Sequence, residues 1–408
     1  MHILDQLKDR GFLAQITFEE DLYKAMEKEP ITFYLGIDPT ADSLHVGHFI
    51  PIVAATHLQR AGHKPIILCG GGTAMIGDPS GKSDMRKMMS RETIASNVAA
   101  IQKQLSRFLD FSEGNARMVN NGDWLLNLNY VDFLRDVGAY FSVNRMLTAE
   151  CYKRRLETGL TFLEFNYMLM QSYDFLELFK NYGCRLQIGG DDQWSNMLSG
   201  ADLIRRKEQQ DAFAMTCKLI MTHDGKKMGK TEKGALWLDP NRTTPYEFYQ
   251  YWRNVGDADV ERFLGLLTFL PMEEVRRLGA LKDQAINEAK RVLAFEVTKL
   301  VHGEEEAMKA QDAAQALFGG GGSQENVPTF EVNSAMLAED NRVTTLLALC
   351  GLCASRGEAR KMVQGGGIAV ADEKVTDIEA RIEKEQIGTD GLLLRKGKKN
   401  YCRLILKD

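Results

Sequence analysis

The chain has 408 residues, which suggests about three domains at ~150 residues per domain. Its 44% hydrophobic and 26% charged residues are ordinary for a globular protein and exclude a fibrous or wholly disordered chain. No apolar run approaches the ~20 residues of a membrane span, and the N-terminal sequence MHILDQLKDRGFLAQ lacks the apolar core of a secretory signal. Because the formal net charge is -5, a nucleic-acid partner would need a local basic patch.

The seven cysteines form an odd-numbered, scattered set, which is a poor disulfide framework and predicts a cytoplasmic protein. Cys350 and Cys353 form an isolated CxxC, for which zinc or redox chemistry is the sharper interpretation. Structural zinc requires four ligands, and neither a second pair nor a nearby histidine completes such a set here. We therefore predict no metal site. Because the two cysteines adjoin the apolar run 346–349, we expect them to be ordinary apolar residues of that segment.

In the first ~220 residues, short apolar runs typical of strands alternate with segments whose apolar residues have helical spacing. A strand at 31–35, a helix at 44–60 and a strand at 65–69 form a βαβ unit with parallel strands. The pattern returns with a strand at 186–188, a helix at 193–206 and a strand at 214–221. We predict an α/β fold with a Rossmann-like parallel sheet, whose ligands bind at the carboxyl ends of the strands.

The remainder of the chain changes character twice. Residues 244–317 have mostly helical spacing, and GGGGSQ at 319–324 has the composition of a linker. The predicted division is a Rossmann-like catalytic domain at 1–222, a helical domain at 223–318, a Gly-rich linker at 319–329 and a small α+β module at 330–408.

The last segment is basic. From Arg342 onward there are 13 basic and 9 acidic residues, a balance of +4, so the preceding residues carry -9 of the total of -5. The run RKGKK at 395–399 lies near the C-terminus. A solvated charged face is the plainer interpretation of such a run, and a module that contacts nucleic-acid phosphates is the sharper one.

The first motif with chemical meaning is HVGH at 45–48, placed after a strand and at the start of a helix. A helix N-terminus has free N–H groups and partial positive charge, so it binds phosphate. Imidazoles there can donate hydrogen bonds to phosphate oxygens. Gly47 is expected to leave room for a nucleotide base or ribose. The plainer interpretation is a histidine-containing helix cap.

The second motif is KKMGKT at 226–231, which follows HDG at 223–225. Lys227 and Lys230 could converge on one triphosphate and stabilise charge that develops on a leaving pyrophosphate. Alone, this segment would more often be an exposed basic turn. The pair of motifs is much more specific than either one.

HVGH with KMGKT resembles the two signatures of class I aminoacyl-tRNA synthetases. Four further stretches make the chain similar to bacterial tyrosyl-tRNA synthetases: YLGIDPTADSL at 34–44, IGDPSG at 76–81, QSYDF at 171–175 and LQIGGDDQW at 186–194. Residues 355–370 resemble the small RNA-binding module that ends these enzymes and also occurs in ribosomal proteins.

The resemblance implies a ligase that activates L-tyrosine with ATP to tyrosyl-adenylate and pyrophosphate, and then transfers tyrosyl to the 3′ end of tRNA(Tyr). It also implies a symmetric homodimer, and magnesium that arrives with ATP. By resemblance, the catalytic residues are His45, His48, Lys227, Lys230, Thr231, Lys82 and Arg86. The residues that bind ATP are Gly36, Asp38, Thr40, Gly47, Asp192, Gln193 and Lys230.

For the amino acid, the resemblance implies Tyr34, Thr73, Asp78, Tyr167, Gln171, Asp174 and Gln187. Asp78 would bind the substrate ammonium, and Tyr34 and Asp174 would bind the phenol. Without the motifs, Tyr167 would be interpreted as a core aromatic residue.

The chain departs from the family pattern at a few positions. Leu35 replaces a small polar residue, Pro51 has no N–H to donate, and Asp191 replaces a usual serine. The loop is KMGKT and not KMSKS, a variant common among tyrosyl enzymes. These changes are expected to alter ATP affinity and to leave the reaction unchanged.

Three alternatives stay open. A tryptophanyl enzyme shares both signatures, but Tyr34 with Asp174 suits a phenol better than an indole. A small nucleotidyltransferase of the HxGH type would not need the helical region, the lysine loop and the basic module together. A non-catalytic RNA-binding paralogue would be indicated by loss of His45, His48 or Lys230, and all three are present.

Overall fold

The computed structural model describes residues 1–80, 89–112, 114–223, 225, 228–231, 234–319, 328–371, 373–388, 391–397 and 400–407. These residues form two compact units. The first comprises Met1–Thr244 and Tyr251–Glu304, and the second comprises Pro245–Gln250 and Glu305–Asp408. The finer division at residues 222, 318 and 329 stays a prediction. Within the described ranges, no helix is both long and apolar enough to cross a membrane.

The first unit is built on a six-stranded sheet. In chain order its strands are β1 (Leu13–Ile16), β2 (Thr32–Ile37), β3 (Lys64–Cys69), β4 (Arg117–Asn120), β5 (Cys184–Gly190) and β6 (Phe213–Cys217). Their order in space is β1-β6-β5-β2-β3-β4, and only β1 pairs in the antiparallel sense. The α/β class with a Rossmann-like parallel sheet is thus confirmed.

The four strands expected from the sequence correspond to β2, β3, β5 and β6. The last of them ends at Cys217, four residues before the predicted end. β1 and β4 were not predicted, because each has four residues and lies at an edge of the sheet where the side chains are half-buried or exposed. Such strands lack the continuous apolar run that marks a strand buried on both faces.

Helices connect the strands and continue beyond them. Their bounds are α1 (Ile3–Asp9), α2 (Glu19–Lys28), α3 (Val46–Arg60), α4 (Arg91–Leu105), α5 (Gly122–Leu125), α6 (Tyr130–Asp136), α7 (Val143–Leu147), α8 (Glu150–Thr158), α9 (Phe162–Phe165), α10 (Tyr167–Tyr182), α11 (Trp194–Glu208), α12 (Pro245–Arg253), α13 (Val260–Leu267), α14 (Met272–Gly279), α15 (Ile286–His302) and α16 (Glu304–Gly319). Short 3₁₀ turns lie at Thr73–Met75, Gly138–Tyr140, Asp191–Gln193, Asp257–Asp259 and Asp283–Ala285. The short antiparallel pair β7 (Lys230–Thr231) and β8 (Gly234–Ala235) precedes α12.

The order of the strands creates a crevice. From β2 the chain proceeds to β3 and β4 on one side, and β5 and β6 lie on the other side. β2 pairs in parallel with both β3 and β5, so the strand order reverses at β2 and β5. In open α/β sheets, ligands bind outside the carboxyl ends of the strands at such a point.

A buried arginine attaches the helical region of the first unit to its N-terminal segment. Arg10 is 5% exposed, and its guanidinium donates hydrogen bonds to the carbonyl oxygens of Gly265, Thr268 and Leu270 at 3.1, 2.9 and 2.5 Å. These carbonyls end α13, where the helix dipole favours a cation. Helices α13–α15 therefore share a unit with the sheet.

The second unit contains a five-stranded sheet. Its strands are β9 (Thr329–Val332), β10 (Ile368–Val370), β11 (Glu373–Val375), β12 (Leu392–Lys396) and β13 (Asn400–Leu406), in the order β11-β10-β12-β13-β9. Its helices are α17 (Ser334–Asp340), α18 (Val343–Leu349) and α19 (Arg356–Gln364), with a 3₁₀ turn at Lys384–Gln386. Cys353 packs in this core and Cys350 packs against it, and both are free thiols. The predicted α+β architecture of this module is confirmed.

Candidate active site

A cavity of about 780 Å³ lies where β2 and β5 end. Apart from Lys230 and Thr231, every predicted site residue that the structure describes lines it: Tyr34, Gly36, Asp38, Thr40, His45, Gly47, His48, Thr73, Asp78, Tyr167, Gln171, Asp174, Gln187, Asp192 and Gln193. Lys82, Arg86 and Lys227 lie outside the described residues, as do the side chains of Lys230 and Thr231. The backbones of Lys230 and Thr231 form β7. The role of each residue stays a prediction.

The two motif histidines begin α3. His45 caps the helix, and its Nδ1 accepts a hydrogen bond from the Gly47 amide at 3.0 Å. Nδ1 of His48 accepts from the His45 amide at 3.3 Å, and the two rings stack with centroids 4.0 Å apart. Because each Nδ1 accepts a backbone N–H, each neutral imidazole carries its proton on Nε2. Nε2 is therefore the nitrogen that can donate to a phosphate oxygen.

The glycine between the histidines has a structural reason that the sequence did not indicate. A Cβ atom at Gly47 would lie 2.7 Å from Cε1 of His45, which is closer than real Cβ contacts. Glycine at this position therefore makes room for the His45 ring to fold back over its own helix. The expectation that Gly47 also leaves room for a nucleotide stays a prediction.

Gly229 of the KKMGKT motif at 226–231, called the lysine signature below, lies close to the start of α3. The Val46 amide donates to the Leu236 carbonyl at 3.0 Å, and the Leu236 amide donates to the Gly229 carbonyl at 2.6 Å. His45 also forms a β-bridge with Trp237, and their rings pack edge to face at 5.8 Å. The fold thus places the backbones of two distant motifs side by side.

One of the carboxylates that line the cavity is almost completely buried. Asp174, on α10, is 1% exposed. Its Oδ2 accepts from Nδ2 of Asn121 at 2.9 Å, and its Oδ1 accepts from Nε1 of Trp124 at 2.8 Å. Burial raises the pKa of Asp174 to about 8, while the two donors act in the opposite direction. Neither Asn121 nor Trp124 was predicted as a site residue.

Three buried oxygens in this cavity have no hydrogen-bond partner among the described residues: Tyr34 Oη, Gln171 Oε1 and Gln187 Oε1. Burial, and then the charge of Asp174, raise the pKa of Tyr34 well above its usual value, so its hydroxyl keeps its proton. Buried polar atoms are normally paired. These three oxygens therefore indicate where a polar ligand belongs.

A second carboxylate, Asp38, follows β2 and is held from two sides. Thr73 Oγ1 donates to its Oδ1 at 2.8 Å, and Tyr167 Oη donates to its Oδ2 at 3.0 Å. Asn121 also donates to Thr73 Oγ1 at 3.0 Å, which connects this group to Asp174. A Cβ atom at Gly70 would lie 2.0 Å from Asp38 Oδ1, so glycine is required there.

The third carboxylate, Asp78, is 9% exposed. Its Oδ2 accepts from Gln193 Nε2 at 2.7 Å, and its Oδ1 accepts from the Ser80 amide at 2.9 Å. Asn196 donates to both Ser80 Oγ and Gln193 Oε1 at 3.3 Å. Asp78 is thereby oriented from two directions.

Two residues that line the cavity but were not predicted, Asn121 and Lys218, come directly after strands. Asn121 comes directly after β4, so recognising that strand would have indicated it, since polar residues at strand ends form such sites. Lys218 follows β6 in the same way and also lines the cavity. Trp124 has no signal in the sequence that would connect it with Asp174.

Comparison with known proteins extends this picture. Residues 26–319 match the class I tRNA synthetases (W and Y), and residues 322–404 match the tyrosine–tRNA ligase SYY-like C-terminal domain. The chain is 60% identical over 408 residues to a tyrosine–tRNA ligase of Caldanaerobacter subterraneus subsp. tengcongensis, with all of both chains covered. The chain belongs to the tyrosine–tRNA ligase family.

Two further relatives support the assignment of the chain to this family. A tyrosine–tRNA ligase of Clostridium botulinum is 59% identical over 408 residues, again with all of both chains covered. Among solved structures, a C-terminally truncated mitochondrial tyrosyl-tRNA synthetase of Aspergillus nidulans superimposes with a TM-score of 0.70 at 28% identity, over 78% of this chain and 94% of that one. The family and the enzyme class expected from the motifs are confirmed.

The departures of this synthetase from the family pattern lie in different places. Leu35 and Pro51 both line the cavity. Asp191 accepts hydrogen bonds from Gln15 Nε2 and Thr216 Oγ1, both at 2.8 Å, and is not among the described residues that line the cavity. Only the first two are therefore placed to affect a bound nucleotide directly.

Proposed function

We propose that the cavity binds L-tyrosine and ATP together and joins them to tyrosyl-adenylate, which then esterifies the 3′ end of tRNA(Tyr). The observation that carries this proposal is that one cavity is lined both by the buried Asp174 and Tyr34, whose hydroxyl has no partner among the described residues, and by two half-exposed histidines at a helix N-terminus. The first pair suits a phenol, and the histidines suit a triphosphate.

The amino acid would lie with its phenol inward. The Tyr34 hydroxyl donates a hydrogen bond to the phenol oxygen, and the Asp174 carboxylate accepts a hydrogen bond from the phenol O–H. The three unpaired oxygens then gain partners, because Gln171 and Gln187 can accept from N–H groups of the substrate. Asp78 faces the ammonium as an anion, and Gln193 and Ser80 keep its oxygens in place. Thr73 and Tyr167 act through Asp38.

ATP would lie across the carboxyl ends of β2 and β5. The nucleotide can approach the backbone at three exposed residues that line the cavity: Gly36, Thr40 and Gly47. Asp192 is exposed there too and can accept from ribose hydroxyls. The histidines donate to phosphate oxygens, helped by the dipole of α3. Magnesium would be carried by the triphosphate.

In the reaction, a carboxylate oxygen of tyrosine attacks the α-phosphorus, the bond to the β-phosphate bridging oxygen breaks, and pyrophosphate departs. In-line attack needs the reactants positioned and the growing negative charge stabilised. His45 and His48 act on the α-phosphate side. Lys82, Arg86, Lys227, Lys230 and Thr231 are assigned to the pyrophosphate. A hydroxyl of the terminal tRNA ribose then attacks the tyrosyl carbonyl and releases AMP.

The test of this function is pyrophosphate–ATP exchange with each of the twenty amino acids in turn. We expect exchange with tyrosine alone at comparable concentrations. Exchange with tryptophan would favour the tryptophanyl alternative. Absence of exchange with any amino acid would indicate a non-catalytic protein.

We propose that the basic C-terminal module holds tRNA. A chain that ends at Gly319 should keep tyrosine-dependent pyrophosphate exchange and lose tRNA charging by at least ~10-fold, because its phosphate contacts are removed. Steady-state charging at fixed tRNA concentration measures the loss. The intact chain is the control, and its charging should fall as salt rises. Normal charging by the shortened chain would contradict this role.

We propose that two copies of the chain form a homodimer. Nine large apolar side chains that are more than a third exposed lie between residues 126 and 163, among them Tyr130, Val131 and Phe162 at 61, 62 and 69%. Exposed apolar side chains in such number mark a surface that another chain covers. The occupant would be the same surface of a second copy, since an isologous interface is self-complementary.

Replacing Phe162 by glutamate should convert the dimer to monomers at micromolar concentration, because a charge would be buried at the interface without a partner. Sedimentation velocity measures the change. Met308 is 48% exposed and lies outside this stretch, so Met308→Glu is the matched control and should remain dimeric. A dimeric Phe162→Glu variant would place the interface elsewhere.

We also propose that the enzyme works in a reducing compartment, consistent with the cytoplasm. All seven cysteines are free, and six of them are buried. Burial raises the pKa of Cys69 to about 11, so this thiol is protonated and unreactive at neutral pH.

A further inference from the structure

Tyr251 contacts the lysine signature from the helical region. It lies in the last turn of α12, and its hydroxyl accepts a hydrogen bond from the Gly229 amide at 2.9 Å. The same hydroxyl donates to Sδ of Met228 at 3.4 Å. Met228 and Gly229 line the cavity, whereas Tyr251 is not among the described residues that line it. Its hydroxyl therefore reaches the site only through this peptide.

The Met228–Gly229 segment is also held on its opposite side. The Gly229 carbonyl accepts from the Leu236 amide, and the Leu236 carbonyl accepts from the Val46 amide, at 2.6 and 3.0 Å. Gly229 has a φ of +77°, and a Cβ atom there would lie 2.9 Å from Cβ of Val46. The segment is thus fixed between Tyr251 and the first residue of the helix that carries His48.

A second contact from the helical region holds the chain just before the signature. Asp259 is 2% exposed, and its Oδ2 accepts from the His223 amide and lies 3.2 Å from His223 Nδ1. Arg262 donates to its Oδ1 at 2.7 Å. The chain is therefore anchored before the signature by Asp259 and within it by Tyr251.

We infer that Tyr251 is a positioning residue for adenylate formation. Its hydroxyl fixes the Met228–Gly229 peptide against α3, and in the sequence this peptide lies between the two lysines of the motif, Lys227 and Lys230. This inference rests on the role proposed above for those lysines. A tyrosine suits the task because its hydroxyl both accepts and donates, and burial keeps the pKa of Tyr251 above its usual value.

Tyr251→Phe removes one oxygen and retains the ring, which packs edge to face on Trp252 at 5.2 Å. We expect the single-turnover rate constant of adenylate formation to fall roughly three- to tenfold, the size of one hydrogen bond. The dissociation constant of tyrosine should stay within twofold. Quench-flow with labelled ATP measures the first quantity, and equilibrium dialysis with labelled tyrosine measures the second.

The matched control is Tyr246→Phe in the same helix. Tyr246 is 8% exposed and accepts a hydrogen bond from Gln250, so this change also removes a buried hydroxyl. The control should leave the rate constant unchanged. If Tyr251→Phe also leaves it unchanged, or if it weakens tyrosine binding as much as it slows the reaction, the inference is wrong.

A double-mutant cycle separates the inference from the proposed function on which it rests. If Tyr251 acts through the lysine, the effect of Tyr251→Phe should largely vanish in a Lys230→Ala background. Equal effects in both backgrounds would overturn the positioning role and leave the catalytic role of Lys230 intact. An undiminished rate in Lys230→Ala alone would instead show that the proposed role of the lysine is wrong, and the inference would fall with it.

Discussion

Replacing Lys230 by alanine is expected to lower the rate constant of adenylate formation by roughly 30- to 1,000-fold, which corresponds to ~2–4 kcal/mol of transition-state stabilisation. The proposed partner of this ammonium is charge that forms on pyrophosphate only as the bond breaks. An interaction made only in the transition state lowers the rate constant and changes ground-state binding little. The dissociation constants of ATP and tyrosine should therefore change much less than the rate.

Pre-steady-state measurement of adenylate formation over a range of ATP concentrations separates these quantities. Lys64→Ala is the matched control, because Lys64 is an exposed lysine at the first residue of β3, the end of the strand opposite the cavity. The control should react at the parent rate. A large rise in the ATP dissociation constant with an unchanged rate constant would contradict the role assigned to Lys230.

Replacing Asp174 by alanine is expected to reduce kcat/KM for tyrosine by roughly 100- to 10,000-fold. The substrate phenol would lose its acceptor, and the buried donors of Asn121 and Trp124 would lose theirs, at ~1–3 kcal/mol for each unpaired group. Phenylalanine has no phenol to lose, so its kcat/KM should fall less. The preference for tyrosine over phenylalanine should therefore shrink.

Tyr34→Phe is the milder comparison at the same end of the cavity. It removes a hydroxyl that has no partner among the described residues, so the empty enzyme should fold normally. We expect selectivity to relax by roughly three- to tenfold while tyrosine activation persists. Pyrophosphate exchange with tyrosine and phenylalanine in parent and variants measures both effects. Parent-like selectivity in both variants would mean that other residues recognise the phenol.

The pKa of Asp174 adds a pH test. Burial raises it to about 8 in the empty cavity, so at pH 6.5 the group is mostly protonated and at pH 8.5 mostly ionised. An ionised carboxylate accepts a hydrogen bond from the phenol more strongly than a neutral one. Tyrosine affinity should therefore rise with pH across this range. Asp174→Asn has no proton to lose and should remove the dependence.

Much of the site was predictable because short contiguous motifs carry it. HVGH follows a strand and begins a helix, and this local arrangement is sufficient to predict histidines at a phosphate-binding N-terminus. The strands that create the crevice, β2, β3, β5 and β6, are buried apolar runs, so their composition predicts them. Among the described residues, the side chains expected to meet did converge on one cavity.

By itself the sequence therefore determined the fold class, the family and many of the described residues that line the cavity. The tertiary structure alone decided which groups orient those residues. Asn121 and Trp124 meet Asp174 across 53 and 50 residues of chain, and Tyr251 meets Gly229 across 22. A hydrogen bond of this kind depends on where two elements pack, and no local pattern of residue types encodes that distance. Gly47 differs from these residues, because the His45 ring that folds over it belongs to the start of the same helix and the contact is local.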